Sequence, residues 1–272
     1  MNNGAEDVGV RYDEVKERIA AAASRSGRSP ESIYLVAVTK NATPAQVRIL
    51  HRKGHCDFGE SRMQHFVRMA SQIDDFRSRQ RELHGNLDLP ESIRWHFIGH
   101  LQRNKVRRVL GAARLVHSID SLKLAEEVHA IHQGDGPAAE ILVQVNVSGE
   151  RGKFGVAPAA AGHLVDQVRT MLGVRVRGLM CMAPLSEDTD AARPVFTRAR
   201  ELFDDIRKST GDSTFDLLSM GMSNDFEASI ECGANVVRVG TAIFGNAAAE
   251  VVDEASMKGG PLTEDEIGEA CC

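Results

Sequence analysis

At 272 residues, with 42% hydrophobic and 26% charged side chains, the chain has the size and apolar content of one large α/β barrel or of two ordinary domains. A formal net charge of -5 gives no global pull toward nucleic acid or an anionic membrane, so a small molecule is the expected partner. No apolar run approaches the roughly 20 residues of a membrane span, the start Met1-Asn2-Asn3-Gly4 is unlike a secretory leader, and the five cysteines lack the spacing of a zinc site or a disulfide framework. A cytoplasmic protein with free thiols and no metal is expected.

Residues 1–10 read as a flexible N-terminus. Tyr12, Val15, Ile19, Ala22 and Ala23 then recur at helical spacing up to Gly27 and predict a leading amphipathic helix. Strands are expected at Ile33–Val38, Cys56–Phe58, Trp95–Ile98, Leu115–Ser118, Ile141–Val145, Val176–Met180, Phe215–Leu218 and Val236–Val239. Helices are expected between them at about 44–53, 61–78, 102–110, 121–132, 157–171, 190–209 and 224–232, with a last one at 246–256. Several strands are continuous runs of Val, Ile and Leu, as in parallel strands buried on both faces. Eight βα units after a leading helix predict a single TIM-type (β/α)8 barrel over residues 11–249. No Gly-x-Gly-x-x-Gly follows any strand, which argues against a doubly wound dinucleotide fold. The polar stretch Asp74–Glu91 reads as an insertion. Residues 250–272 read as an acidic, disordered tail ending in Cys271-Cys272, which lacks the form of a prenylation signal.

The strand ends carry the candidate chemistry. Lys40 closes the apolar run from Ile33 and precedes Thr43-Pro44-Ala45-Gln46, a capping box with proline at the first helical position. A lysine at the carboxyl end of a barrel strand is either a solvated charge or an amine able to form a Schiff base. Ser219-Met220-Gly221-Met222-Ser223 follows strand seven and Gly240-Thr241 follows strand eight, the two loops where such barrels hold phosphate. Gly221 and Gly240 allow close approach of backbone amides, and Ser223 and Thr241 add hydroxyl donors. Arg238 lies inside Val236-Val237-Arg238-Val239 and needs an acceptor, either a carboxylate such as Asp216 or Glu60 or the ring nitrogen of a bound heterocycle. His96, in strand three, is expected to be a hydrogen-bonded core residue that touches the site at most through others. The cations Arg103, Lys105, Arg107 and Arg108 read as a solvated helix face, and Asn146 with Ser148–Gly155 as a pocket rim.

Taken together, Leu35–Lys40, Asp57-Phe58-Gly59-Glu60, Trp95–Gly99, Arg177–Met180, Ser219–Ser223 and Val237–Gly245 resemble the pyridoxal phosphate homeostasis protein family over about residues 11 to 246. The resemblance implies a barrel similar to the amino-terminal domain of alanine racemase, with pyridoxal 5'-phosphate as a Schiff base on Lys40. It implies that Ser223, Gly240 and Thr241 hold the phosphate, with Gly221, Met222 and Ser219 in the same region, and that Arg238 faces the pyridine nitrogen. Two positions depart from the family pattern: Ser61 replaces the asparagine usual after Gly-Glu, and His65 replaces an acidic residue, which puts a polar contact there in doubt. The implied function is a carrier that buffers and delivers the cofactor, with apo-enzymes as partners and a monomer as the expected state. The alternatives are an amino-acid racemase or decarboxylase using Lys40, and a Schiff-base aldolase acting on a phosphosugar. A two-base racemase needs a second acid/base opposite the lysine, and the chain's two tyrosines, Tyr12 on the leading helix and Tyr34 early in strand one, are both expected away from the carboxyl-end loops.

Overall fold

Eight short runs, six of them mostly apolar, form parallel strands: β1 (Tyr34–Val38), β2 (Asp57–Glu60), β3 (Arg94–Phe97), β4 (Ala113–Ile119), β5 (Ala139–Gln144), β6 (Val174–Met180), β7 (Leu217–Ser219) and β8 (Val236–Val239). They pair in chain order, and β8 returns to β1 in the register Tyr34 with Val236 through Ala37 with Val239, which closes a barrel. This is the expected (β/α)8 architecture, seen in a computed structural model that describes residues 3–84, 92–132, 136–184 and 189–245. All eight expected strands are present. The seventh starts at Leu217 rather than Phe215, whose amide still closes a turn on the Asp212 carbonyl at 3.2 Å while its ring stacks on Phe203 at a separation of 5.1 Å.

Helices α1 (Asn3–Arg25), α2 (Pro44–Arg52), α3 (Met63–His84), α4 (Val106–Leu110), α5 (Leu122–Ile131), α6 (Pro158–Arg169), α7 (Arg193–Thr210) and α8 (Phe226–Glu231) cover the outside, and the single turn α9 (Thr241–Phe244) follows β8. Helix α1 begins at Asn3, ahead of the boundary expected at residue 11. Val8 continues the stripe of Tyr12, Val15, Ile19, Ala22 and Ala23 by one turn, all of it buried against α2, α8 and α9. The expected insertion at 74–91 is, as far as residue 84, a continuation of α3. Among the described side chains Ile73 is the last deeply buried apolar one, and from there to residue 80 most positions are solvated, which is why the composition resembles a loop. The rest of that stretch, the expected helix at 246–256 and the tail with Cys271-Cys272 lie outside the described residues.

The two ends of the barrel are finished differently. At the amino ends of the strands, Arg94 grips Asp57 with two hydrogen bonds of 2.8 and 2.7 Å, Arg114 pairs with Glu140 at 2.8 Å, and Arg177 pairs with both Glu140 at 3.0 Å and Asp216 at 2.8 Å. Above this layer Leu115, Leu142 and Met180 form an apolar plug. No helix among the described residues is long and apolar enough to cross a membrane.

Candidate cofactor site

A cavity of about 540 Å³ opens at the carboxyl ends of the strands, a volume suited to one small organic molecule. Lys40 reaches it from the end of β1. The backbone there is pinned on both sides: Thr43 caps α2 by accepting from Gln46 N–H, the Gln46 side chain accepts from Thr43 N–H at 2.9 Å, and the Lys40 carbonyl accepts from Arg62. Lys40 is exposed, and among the described residues nothing pairs with its ammonium group. The amine is therefore held in place at its base and available at its tip.

Met222, Ser223, Arg238, Gly240 and Thr241 line the same cavity. The Ser223 hydroxyl accepts from the amides of Gly240 at 3.2 Å and Ala242 at 3.3 Å, so two strand-end loops converge on one donor-rich point. An anionic oxygen suits such a point, because amide donors there are otherwise met only by a hydroxyl. Gly221 makes the turn beneath it with φ +89°. A Cβ at that position would lie 2.1 Å from Ser229 Oγ, so only glycine fits. Asp225 braces the turn by accepting from Met222 N–H at 2.6 Å, and burial pushes its carboxyl above the usual range.

Arg238 is 4% exposed, and burial lowers its pKa. Neither carboxylate that the sequence offered takes it, since Asp216 is bound by Arg177 and Glu60 is satisfied at the other side of the pocket. Its guanidinium donates to Ser219 Oγ at 2.6 Å and to the Cys181 carbonyl at 3.0 Å, both neutral acceptors. Ser219, expected with the phosphate group, is placed instead beneath Arg238, fully buried and off the cavity wall. His96 also lies off that wall and bonds to Asp57 and His117.

The two departures both meet Glu60. Burial resists ionisation of Glu60, but His65 at 2.5 Å and the amides of Arg62 and Ser61 lower its pKa below the usual range. His65 is thus a direct partner of that carboxylate, and Ser61 lines the cavity. The Asn146 loop is closed on itself by hydrogen bonds from Asn146 Nδ2 to the Glu150 carbonyl and from Ser148 Oγ and Gly149 N to Asn146 Oδ1, and Phe154 stacks on His100 rather than on the pocket. Arg103, Arg107 and Arg108 are exposed, as expected of a solvated face.

The family model described as "Alanine racemase, N-terminal domain" matches residues 10–248. A protein of Pseudomonas aeruginosa named "Pyridoxal phosphate homeostasis protein" is 39% identical over 85% of this chain and 92% of its own. One of the same name from Aquifex aeolicus is 36% identical over 86% of this chain and 96% of its own. The chain belongs to the pyridoxal phosphate homeostasis protein family. The solved structure of PipY from Synechococcus elongatus, titled as having PLP bound, superposes with a TM-score of 0.69 at 29% identity, covering 85% of this chain and 100% of PipY.

Within this member of the pyridoxal phosphate homeostasis protein family, the strand-end argument finds Lys40, Ser223, Arg238, Gly240 and Thr241, and the cavity brings them together. It misses Asp225 and His117. Asp225 has a readable signal, an acidic residue three positions after Met222 able to take that residue's amide. His117 looks from sequence like any core residue of an apolar strand.

Proposed function

We propose that this chain binds pyridoxal 5'-phosphate covalently through the Lys40 amine and works as a carrier that buffers the cofactor and delivers it to apo-enzymes, as a monomer and without robust catalysis of its own. The observation that carries the reading is the convergence on one cavity of a reactive amine, a buried guanidinium with no carboxylate partner, and the hydroxyl-and-amide point at Ser223. These are the three chemistries that an aldehyde, a ring nitrogen and a phosphate require. Lys40 would hold the aldehyde carbon, Arg238 the ring nitrogen, and Ser223, Gly240 and Thr241 the phosphate, with Met222 beside them and Gly221 keeping the turn tight. When bound, the ring supplies an electron sink, and a guanidinium that only donates leaves its nitrogen unprotonated and that sink weak.

Both tyrosines are remote from the cavity, which supports a carrier over a two-base racemase. Tyr12 is on α1 with its hydroxyl 3.3 Å from His55, and Tyr34 is 52% exposed at the amino end of β1. Incubation with pyridoxal phosphate, borohydride reduction and peptide mass spectrometry should place a pyridoxyl group on Lys40, and Lys40→Ala should abolish both the adduct and the visible band. A wild-type protein that stays colourless and unmodified defeats the cofactor reading. Amino-acid racemisation or decarboxylation at enzymatic turnover, lost in Lys40→Ala, defeats the carrier reading alone.

A further inference from the structure

A row of polar side chains that the proposed chemistry leaves unused runs through the middle of the barrel. Ser219 Oγ is 3.0 Å from His117 Nδ1, His117 Nε2 is 2.9 Å from His96 Nδ1, and His96 Nε2 is 3.1 Å from Asp57 Oδ1. Asp57 opens β2 and Ser219 closes β7, so the row crosses from the charged end of the barrel to the cavity end. His117 and Ser219 are fully buried and His96 is 8% exposed. Polar groups at that depth are costly unless each donor meets an acceptor.

The chemistry of the row fixes its direction. Burial resists ionisation of Asp57, yet Arg94 and His96 hold its carboxyl well below the usual range, so at neutral pH it is an acceptor only. His96 must then carry a hydrogen on Nε2, and in its neutral form Nδ1 is bare. Burial keeps His117 neutral, so its one hydrogen sits on Nε2, where it fills His96 Nδ1. His117 Nδ1 is left to accept from the Ser219 hydroxyl. The Ser219 oxygen then keeps its lone pairs for Arg238 Nη1 at 2.6 Å. Running the row the other way requires a second proton on His96.

We propose that His96 and His117 are positioning residues for the cofactor ring: with the Asp57 carboxylate they fix the direction of the Ser219 hydroxyl, and this holds the Arg238 guanidinium toward the ring nitrogen. The inference rests on the cofactor reading above and adds to it a control point at the opposite end of the barrel. A carboxylate that never meets the ligand thereby sets the environment of the ligand's ring.

Nitrogen-15 spectra of the cofactor-free protein test the row directly, with the two histidines assigned by substitution. At neutral pH His117 should be an Nε2–H tautomer, and an Nδ1–H tautomer or an imidazolium at that ring overturns the row. The loaded protein tests the consequence. Asp57→Asn should shift the visible band and weaken pyridoxal phosphate binding about tenfold, the scale of one misaligned buried hydrogen bond. Arg94→Met breaks the same ion pair but leaves His96 its acceptor, so it should leave band and affinity unchanged. Ser219→Ala should reproduce the Asp57→Asn spectrum, and the double variant should add nothing further, which keeps the test open if Asp57→Asn folds poorly. Wild-type band and affinity in Ser219→Ala, or equal effects of Asp57→Asn and Arg94→Met, overturn the positioning role. The expected tautomer in a wild-type protein that gains no band would instead overturn the cofactor reading, and this role with it.

Discussion

Arg177 and Arg238 stand at opposite ends of one barrel and meet opposite surroundings. Arg177 donates to two carboxylates, Asp216 and Glu140, within a layer where each of three arginines has an acidic partner. Arg238 is more deeply buried, yet its protein acceptors are a hydroxyl and a carbonyl. Neutralised charge closes the first end and contributes to the fold. Charge without a direct ion pair, with the Asp225 carboxylate acting on it only through space, is a cost to the empty protein, and it is tolerated where an incoming group completes it. Charge satisfaction, more than burial, thus separates the structural end of this barrel from the binding end.

Acid should break the comparison most strongly, because it attacks buried groups, His55 near the closed end first among them. His55, between Tyr12 and the Asp57 carbonyl, is held by burial at a pKa of about 4 against 6.5 for the free group. The folded state therefore binds fewer protons than the unfolded state between those values. Stability is complete above pH 6.5 and falls as pH drops toward 4, by about 3 kcal/mol from this residue. His117 acts in the same direction, and Asp57 and Glu60, both lowered, add losses below the carboxylate range. Urea unfolding of the cofactor-free protein at pH 7 and pH 4.5 measures it, and equal stabilities would contradict the burial of these groups.

Arg177→Met comes next. It strands Asp216 and half of the Glu140 pairing and should cost about 2 kcal/mol, discounted for their partial exposure, with cofactor affinity unchanged. Arg238→Met is the mirror experiment. The cofactor-free protein should gain about 1 kcal/mol in unfolding free energy while pyridoxal phosphate binding weakens at least tenfold, read by the same melts and by absorbance titration. A loss of stability in Arg238→Met would show that the two ends are alike after all. The smallest effect belongs to Arg114→Gln: Arg114 is half exposed and Glu140 keeps Arg177, so the change should stay under about 0.5 kcal/mol in the same melts.

Much of the barrel and its binding end is legible in the sequence, because barrel strands are short continuous apolar runs and the residues just past their carboxyl ends carry distinctive turn and capping chemistry. Lys40 before a capping box, and Ser223 and Gly240 after the last two strands, give that signal locally. The features hidden from the sequence depend on partners far apart in the chain. Ser219 resembles a turn residue, and only the folded register puts it under Arg238 and beside His117, 102 residues away. His117 itself sits in Leu115–Ser118, where one histidine looks like tolerated polarity. The extension of α3 beyond Ile73 reads as an insertion because a helix exposed on most sides loses the apolar period by which helices are recognised.

The leading helix has a consequence for how the chain reaches its fold. Its apolar stripe is synthesised before every strand of the barrel, yet it docks on α8 and α9, and Arg11 donates to the Ile243 carbonyl across 232 residues of sequence. On the ribosome α1 can meet α2 early, but its remaining surface waits until β8 has emerged and joined β1. The turn that follows β8 is thus the one that lets α1 come to rest, and barrel closure and helix docking become a single event that waits for the eighth strand.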